Sequence, residues 1–358
     1  MSQVWALVDL DGDGRVDYHT LILSGYANPN GVAWRDGDLF IGLPTRIVRL
    51  DNIDRYALHK KPYTRTPTTV LELPVQDFHQ SRYLSFGPNG KLYFGIGMPC
   101  DVCVPPTYRR NATSPKFLHG SIHRANADGT GVELWASGLR NSVGFDFHPR
   151  TRKLYFADNG ADSIGGVMTA NRPDDKLGYA PRKGLNFGFP YCHTTGRGGE
   201  AKKPRLRLPG VGTPLPDPTL NARQRAVKCK SSKVTPSIQA LGPHVAPLGM
   251  RFYSWRAARS AFPRAYDGSL LVAEHGSGGL NATDRLGYRV VRVVLSKAGD
   301  RVVRHERFIS GWLQKEGTPD SSIVGRPVDL LQLPDGSLLI SDDGADCVWR
   351  VTYKRPKR

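Results

Sequence analysis

The chain is short of acid, cysteine and long apolar runs, and each shortage excludes something. No stretch approaches eighteen consecutive apolar residues, so no transmembrane segment is expected. Asp and Glu number 32 against 50 Lys and Arg, a formal net charge of +18, which would suit an anionic partner. The excess is concentrated, however. Residues 196–233 hold ten Lys or Arg, two acids and five prolines, which reads as a solvated basic, Pro-rich insertion. No nucleic-acid motif accompanies it, so no nucleic-acid partner is expected. There are five cysteines. Cys100 and Cys103 form a single C-x-x-C. A zinc site of four cysteines would need a second, and Pro105-Pro106 argues against the helix that a thioredoxin-type motif requires. A local disulfide or free thiols remain. A bridge between Cys192 and Cys229 would staple the basic insertion and leave Cys347 over. Asn111-Ala-Thr113 and Asn281-Ala-Thr283 fit the glycosylation pattern. The first 25 residues lack a signal-peptide pattern, because Asp9, Asp11 and Asp13 stand where an apolar stretch would be.

Glycine (39) and proline (27) are plentiful, at about half again their usual share. Both break helix interiors, so a helical bundle is excluded. They punctuate a repeat instead. Asn30–Gly42, Tyr83–Gly95, Val143–Phe156 and Val328–Ile340 each read as an apolar strand, a turn and a second apolar strand, and a weaker copy ends at Tyr266–Val272. Pro88-Asn-Gly90 and Pro334-Asp-Gly336 supply turn chemistry: Pro presets φ and Gly accepts a positive one. Strand pairs recurring at wide, regular spacing predict an all-β fold, a six-bladed β-propeller in one domain over 1–358. Val4–Val8 resembles a late strand whose blade has no earlier ones, so the first blade is expected to be incomplete at the N-terminus.

In a propeller, functional side chains come from equivalent ends of successive repeats. His79, Arg140, Asn141, His244, His275 and Arg326 all fall just before a first strand or just after a second one. An imidazole can accept a proton, and a guanidinium can hold an anion or a developing oxyanion. A separate signal is Asp9-Leu-Asp-Gly-Asp-Gly-Arg-Val-Asp17, with Asp at positions 1, 3, 5 and 9 and Gly at 6. That spacing predicts a structural calcium loop from Asp9, Asp11, Asp13, Asp17 and the Arg15 carbonyl, with Thr20 where a bidentate Glu would complete an EF-hand.

Several segments in order carry a family resemblance. They are His79-Gln-Ser81 leading to Phe86-Gly-Pro-Asn-Gly90, Gly138-Leu-Arg-Asn141, Asp158-Asn-Gly-Ala161, Phe189-Pro-Tyr-Cys-His193, Gly242-Pro-His-Val-Ala-Pro247, Ala273-Glu-His-Gly276 and Gly325-Arg-Pro-Val-Asp329. The sequence resembles the soluble quinoprotein sugar dehydrogenases, most of all their L-sorbosone dehydrogenase-type branch. The resemblance implies a six-bladed propeller that binds pyrroloquinoline quinone (PQQ) and Ca²⁺ and oxidises a sugar or sugar-derived aldehyde. It implies His79 as the base and Arg140 facing the quinone oxygen. Gln80, Asn141, His244, His275 and Arg326 would contact the cofactor, and the Gly160 and Ala161 carbonyls would bind the ion. It also implies an external electron acceptor and an extracytoplasmic location. The sequence departs from the pattern at Pro29, at Val328 and at Asp174-Asp-Lys-Leu177, where the branch carries Asp-Glu-Leu-Asn. Two other readings fit a propeller: a non-catalytic binding module, and a calcium-dependent lactonase-type hydrolase with Asp158, Asn159 and Asp342 at the metal.

Overall fold

A computed structural model describes residues 2–108, 116–168, 172–196, 212–278 and 280–354. The Asn111 sequon and residues 197–211 of the basic insertion lie outside the described residues. The architecture is an all-β propeller with very little helix, and the chain divides into two compact units.

The first unit comprises 1–100 and 105–135. It opens with a hairpin of β1 (Ser2–Val8) and β2 (Tyr18–Tyr26). The first blade follows: β3 (Val32–Arg35), β4 (Asp38–Leu43), β5 (Arg46–Leu50), the short helix α1 (Ile53–Ala57) and β6 (Thr68–Glu72), its strands paired in chain order. The second blade contains β7 (Leu84–Phe86), β8 (Leu92–Ile96), β11 (Ser121–Ala125) and β12 (Glu133–Ser137), with the two-residue strands β9 (Thr107–Tyr108) and β10 (Phe117–Leu118) between them. All five residues of β8 are buried, as its unbroken Leu-Tyr-Phe-Gly-Ile run requires of a strand covered on both faces. The expected Pro-Asn-Gly turn is present: Gly90 has φ +75° and donates to the Gly87 carbonyl at 2.9 Å. Phe40, Ile47, Leu84 and Phe94 form the core between the two blades.

The second unit comprises 101–104 and 136–358. Its first blade is β13 (Asn141–Phe147), β14 (Leu154–Asn159), β15 (Asp174–Ala180) and β19 (Gln239–Pro243). Between β15 and β19 run β16 (Leu185–Asn186), β17 (Cys192–Thr195) and β18 (Thr213–Pro216), the last two paired with each other. The next blade is β20 (Pro247–Phe252), β21 (Leu270–Glu274), β22 (Arg289–Leu295) and β23 (Val302–Ile309). After the small pair β24 (Leu313–Gln314) and β25 (Ser322–Ile323), the last blade has three strands, β26 (Pro327–Gln332), β27 (Leu338–Asp342) and β28 (Cys347–Val351). Tyr155, Met250, Phe252 and Val272 fill one interface between blades, and Leu271, Val290, Leu330 and Ile340 fill the next. Backbones approach closely there: a Cβ on Gly144 would lie 1.7 Å from the Leu248 carbonyl oxygen.

The blade count corrects the expectation of six. Five blade sheets are present among the described residues, and β1 and β2 pair only with each other. The acidic loop turns β1 directly back onto β2, and residues 27–31 lead straight into β3. The hairpin packs Ile22 and Leu23 against Ile41, Val48 and Leu50 and never gains a third strand. Cys192 and Cys229 are bonded, and Cys100 and Cys103 are both disulfide-bonded. Cys347 is the free cysteine.

Candidate functional site

In the first unit, His79 lies on the connection from β6 to β7. Its backbone is left-handed, with φ +50°, an uncommon conformation for a residue with a side chain. Two buried side chains hold it there. Gln76 Nε2 and Arg82 Nη1 donate to the His79 carbonyl at 2.8 and 2.9 Å. Arg82 is fully buried, and its Nη2 donates to the Pro44 carbonyl at 2.9 Å. Burial pushes its guanidinium down to about 10, which still leaves it charged at neutral pH. The His79 ring lies edge-on to Phe78, and its Nδ1 is 2.8 Å from the Met98 carbonyl oxygen. A carbonyl can only accept, so Nδ1 carries the hydrogen and the neutral ring has its basic lone pair on Nε2. Gln80 donates to the Gln76 carbonyl at 2.8 Å. His79 and Gln80 were legible in the motif. Gln76 and Arg82 were not, because an Arg just ahead of an apolar strand gives no sign that it is buried.

The acidic hairpin loop belongs to the same unit. Carboxylate oxygens of Asp9, Asp11 and Asp17 lie within 4.8 Å of one another, all exposed. Asp13 is not in that group; its carboxylate accepts the Arg15 N–H at 2.7 Å. Thr20 is buried in β2.

The second unit gathers most of the remaining candidates on one continuous set of hydrogen bonds. Asp158, at the end of β14, accepts the N–H groups of Arg140 and Asn141 at 3.1 and 2.9 Å and the Ser142 hydroxyl at 2.9 Å. Buried Lys176 lies 3.2 Å from the same carboxylate. The Arg140 guanidinium is 3% exposed and sits between Asp101, at 2.9 Å, and Asp162, at 2.8 Å. Burial would raise the Asp101 carboxyl, but the Asp162 N–H, the Ser163 hydroxyl and Arg140 together hold it below the ordinary carboxylate range.

Beyond Asp158 the loop Asn159-Gly-Ala161 continues. The Gly160 N–H donates to Asp175 Oδ1 at 2.6 Å, and Asp175 Oδ2 accepts the Ala246 N–H at 2.8 Å. Burial pushes Asp175 up to about 6 and neighbouring Asp174 up to about 7. The Ala246 carbonyl accepts the His275 N–H at 3.0 Å. The His275 ring meets Asp343 at 2.8 Å, and burial nonetheless keeps its pKa below the ordinary histidine value. Arg326 donates to the His275 and Gly276 carbonyls at 3.3 and 2.8 Å, and its guanidinium lies 5.7 Å from the Tyr288 ring centre. Arg140, Asn141, Gly160, His275 and Arg326 are thus tied together through three blades, with Ala161 and His244 next to or near members of this set in the chain. His79 and Gln80 belong to the other unit.

The clamps themselves form a repeat. Asp342, at the end of β27, accepts the Arg326 N–H at 2.6 Å, as Asp158 accepts that of Arg140. Glu274, at the end of β21, occupies the corresponding place but pairs with buried Arg289 at 2.6 Å, and its Oε1 has no partner. Asp158 and Asp342 therefore have structural donors on their oxygens, which disfavours them as a hydrolase's metal ligands. The site does offer neutral oxygen. Asn159 Oδ1 is buried without a partner on the loop whose carbonyls the motif assigns to Ca²⁺. An orphaned amide oxygen beside backbone carbonyls is the donor chemistry that a hard cation prefers.

Residues 116–354 match the TrAA12-like family. The chain belongs to that family. This bears out the resemblance to soluble PQQ-dependent sugar dehydrogenases. An uncharacterised protein of Borreliella burgdorferi is 31% identical over 334 residues, covering 91% of this chain and 76% of its own. Among solved structures, the calcium form of the Trichoderma reesei carbohydrate-active enzyme of family AA12 superposes with a TM-score of 0.72 at 17% identity. It covers 97% of this chain and 86% of that one. The holo PQQ domain of Coprinopsis cinerea pyranose dehydrogenase gives 0.69 at 20% identity, covering 96% and 87%. At these identities, the structures speak to the fold that this TrAA12-like chain shares with them. No helix among the described residues is long and apolar enough to cross a membrane.

Proposed function

We propose that this TrAA12-like protein is a quinoprotein dehydrogenase that oxidises a sugar or sugar-derived aldehyde, with PQQ and Ca²⁺ as cofactors. The observation that carries the reading is the hydrogen-bonded set in the second unit, with two arginines, an orphaned Asn159 oxygen and the Gly160–Ala161 carbonyls. The Gly160 and Ala161 carbonyls would hold the ion with Asn159 Oδ1 beside them. Asn141, His244, His275 and Arg326 would hold the quinone, whose carboxylates suit guanidinium donors. When bound, the pair supplies a two-electron sink polarised by a hard cation.

The chain's own contribution is proton handling and charge. His79 Nε2 takes the substrate hydroxyl proton while Nδ1–H stays on the Met98 carbonyl. Arg140 keeps Nε on the Asp101 carbonyl and carboxylate and Nη2 on the Asp101 and Asp162 carboxylates, so Nη1 is the donor left to face developing negative charge. An external acceptor then collects the electrons. The disulfide-bonded cysteines support an extracytoplasmic setting. We read the Asp9–Asp17 loop as a structural calcium clamp on the β1–β2 hairpin.

The test is reconstitution. Purified protein given PQQ and Ca²⁺ should retain the quinone chromophore and reduce a dye when sugars are supplied. His79→Ala should retain the quinone and lose turnover by about 100-fold or more. Failure to retain the quinone sinks the proposal and favours a binding module. Lactone hydrolysis without quinone favours the hydrolase.

A further inference from the structure

Asp175 lies within strand β15 and is 3% exposed. Its two oxygens serve two different loops, 15 and 71 residues away in sequence: Oδ1 holds the Gly160 N–H and Oδ2 the Ala246 N–H. Neither contact belongs to the ladder, in which Asp175 is paired with Gly242. The arrangement is also a departure from the repeat. In the last blade, the N–H just ahead of the strand's first residue, Pro327, goes to Asp342 of the same blade. The corresponding N–H ahead of Pro247 is that of Ala246. It goes instead to Asp175 of the preceding blade, and Glu274 keeps an unpartnered oxygen. One bond that would close a blade on itself here joins two blades.

The consequence for the loops follows from peptide geometry. A trans peptide directs its N–H and the preceding C=O to opposite sides. Anchoring the Gly160 N–H on Asp175 turns the Asn159 carbonyl away from β15. Anchoring the Ala246 N–H turns the Val245 carbonyl toward Gly276, whose N–H donates to it at 2.9 Å. His244 and Ala246 have φ of +53° and +48°. Non-glycine residues disfavour that region, so the loop depends on outside restraint. Bonds to a buried carboxylate are charge-assisted and stronger than neutral ones.

We infer that Asp175 is a positioning residue that locks the Asn159–Gly160 peptide, just ahead of the Gly160 and Ala161 carbonyls, and the His244–Ala246 loop into one cradle, so that cation binding and the placement of His244 are coupled. The inference rests on reading this site as the calcium and quinone centre.

The experiment compares the native chain with Asp175→Asn, which keeps the size but offers one acceptor oxygen and an NH₂ group to two N–H donors. Amide exchange followed by NMR should accelerate by about tenfold or more at both Gly160 and Ala246. The amides of Arg140 and Asn141, held by Asp158, should not change. Calorimetric affinity for PQQ with Ca²⁺ should fall by about tenfold, with shifted His244 ring resonances. Acceleration at Gly160 alone, or unchanged affinity, overturns the coupling. If Asp175→Asn does not fold, the native chain decides. Adding PQQ and Ca²⁺ must slow exchange at Gly160 and Ala246 together, and slowing at Gly160 alone refutes the inference. A native chain that binds no PQQ ends the dehydrogenase reading. Exchange in the ligand-free variant would then still decide whether Asp175 couples the two loops.

Discussion

Replacing Asp158 with Asn tests the clamp beneath Arg140, and the structure sets the size of the effect. The Asp158 side chain is 1% exposed and that of Lys176 is 6% exposed. Among the described residues, Asp158 is the partner of the Lys176 ammonium. Asp158 itself has three further donors, from Arg140, Asn141 and Ser142. The two ends of the pair are therefore unequal. Asp158→Asn strands a buried cation, which costs about 3–5 kcal/mol. Lys176→Met leaves a carboxylate still held by three donors, and about 1–2 kcal/mol is expected. Unfolding entropy of roughly 2.1 cal/mol/K per residue over 358 residues makes 4 kcal/mol about 5 °C in Tm. The assay is thermal and urea unfolding of both single variants and of the double variant. The double variant should recover at least about half of the Asp158→Asn loss, because the stranded charge is gone. A Lys176→Met loss equal to or larger than that of Asp158→Asn would refute the reasoning.

Three further outcomes are expected. Replacing Cys192 and Cys229 with Ser opens a bridge spanning 37 residues and should cost about 4 kcal/mol by chain entropy, measured by urea unfolding; a loss under about 1 kcal/mol refutes it. Burial pushes His123, caged by Phe94 and Phe117, down to about 3. Below about pH 6.5 the unfolded chain takes a proton that the fold refuses. This group therefore costs the fold about 1.4 kcal/mol per pH unit as pH falls from about 6.5 toward 3. His123→Phe should remove that slope, and parallel stability curves for the two proteins from pH 7 to 4 would contradict it. Finally, millimolar Ca²⁺ should raise the Tm of quinone-free protein but have less effect on Asp9→Asn. Equal responses rule out the hairpin clamp.

Much of the fold was legible because its signals are local. Pro-Asn-Gly and Pro-Asp-Gly turns between apolar runs are set by φ preference, and unbroken runs such as Leu92–Ile96 can only be strands covered on both faces. The blade count was not legible. A hairpin and the outer half of a blade have the same strand pattern, and only the pairing of β1 and β2 with each other separates them. Among candidate site residues, the motifs pointed to His79, Arg140 and Arg326, whose side chains are chemically conspicuous. Asp101 was passed over, Asp175 was noted only as part of a departure from the family pattern, and Asp158 and Asp342 were read as metal ligands of a hydrolase rather than as clamps on backbone N–H groups. In sequence, a carboxylate that clamps a distant amide looks the same as one that faces water.

The residue order by itself determined the strands, the turns and the chemical types available at the blade ends, because these depend on neighbours a few positions apart. Tertiary structure alone decided which carboxylate serves which loop. Asp175 is joined to Ala246 across 71 residues, and packing one blade against the next brings them together. Tertiary structure also decided that Arg140 is a donor already paired with two carboxylates, because Asp101, 39 positions away, is folded onto it beside Asp162.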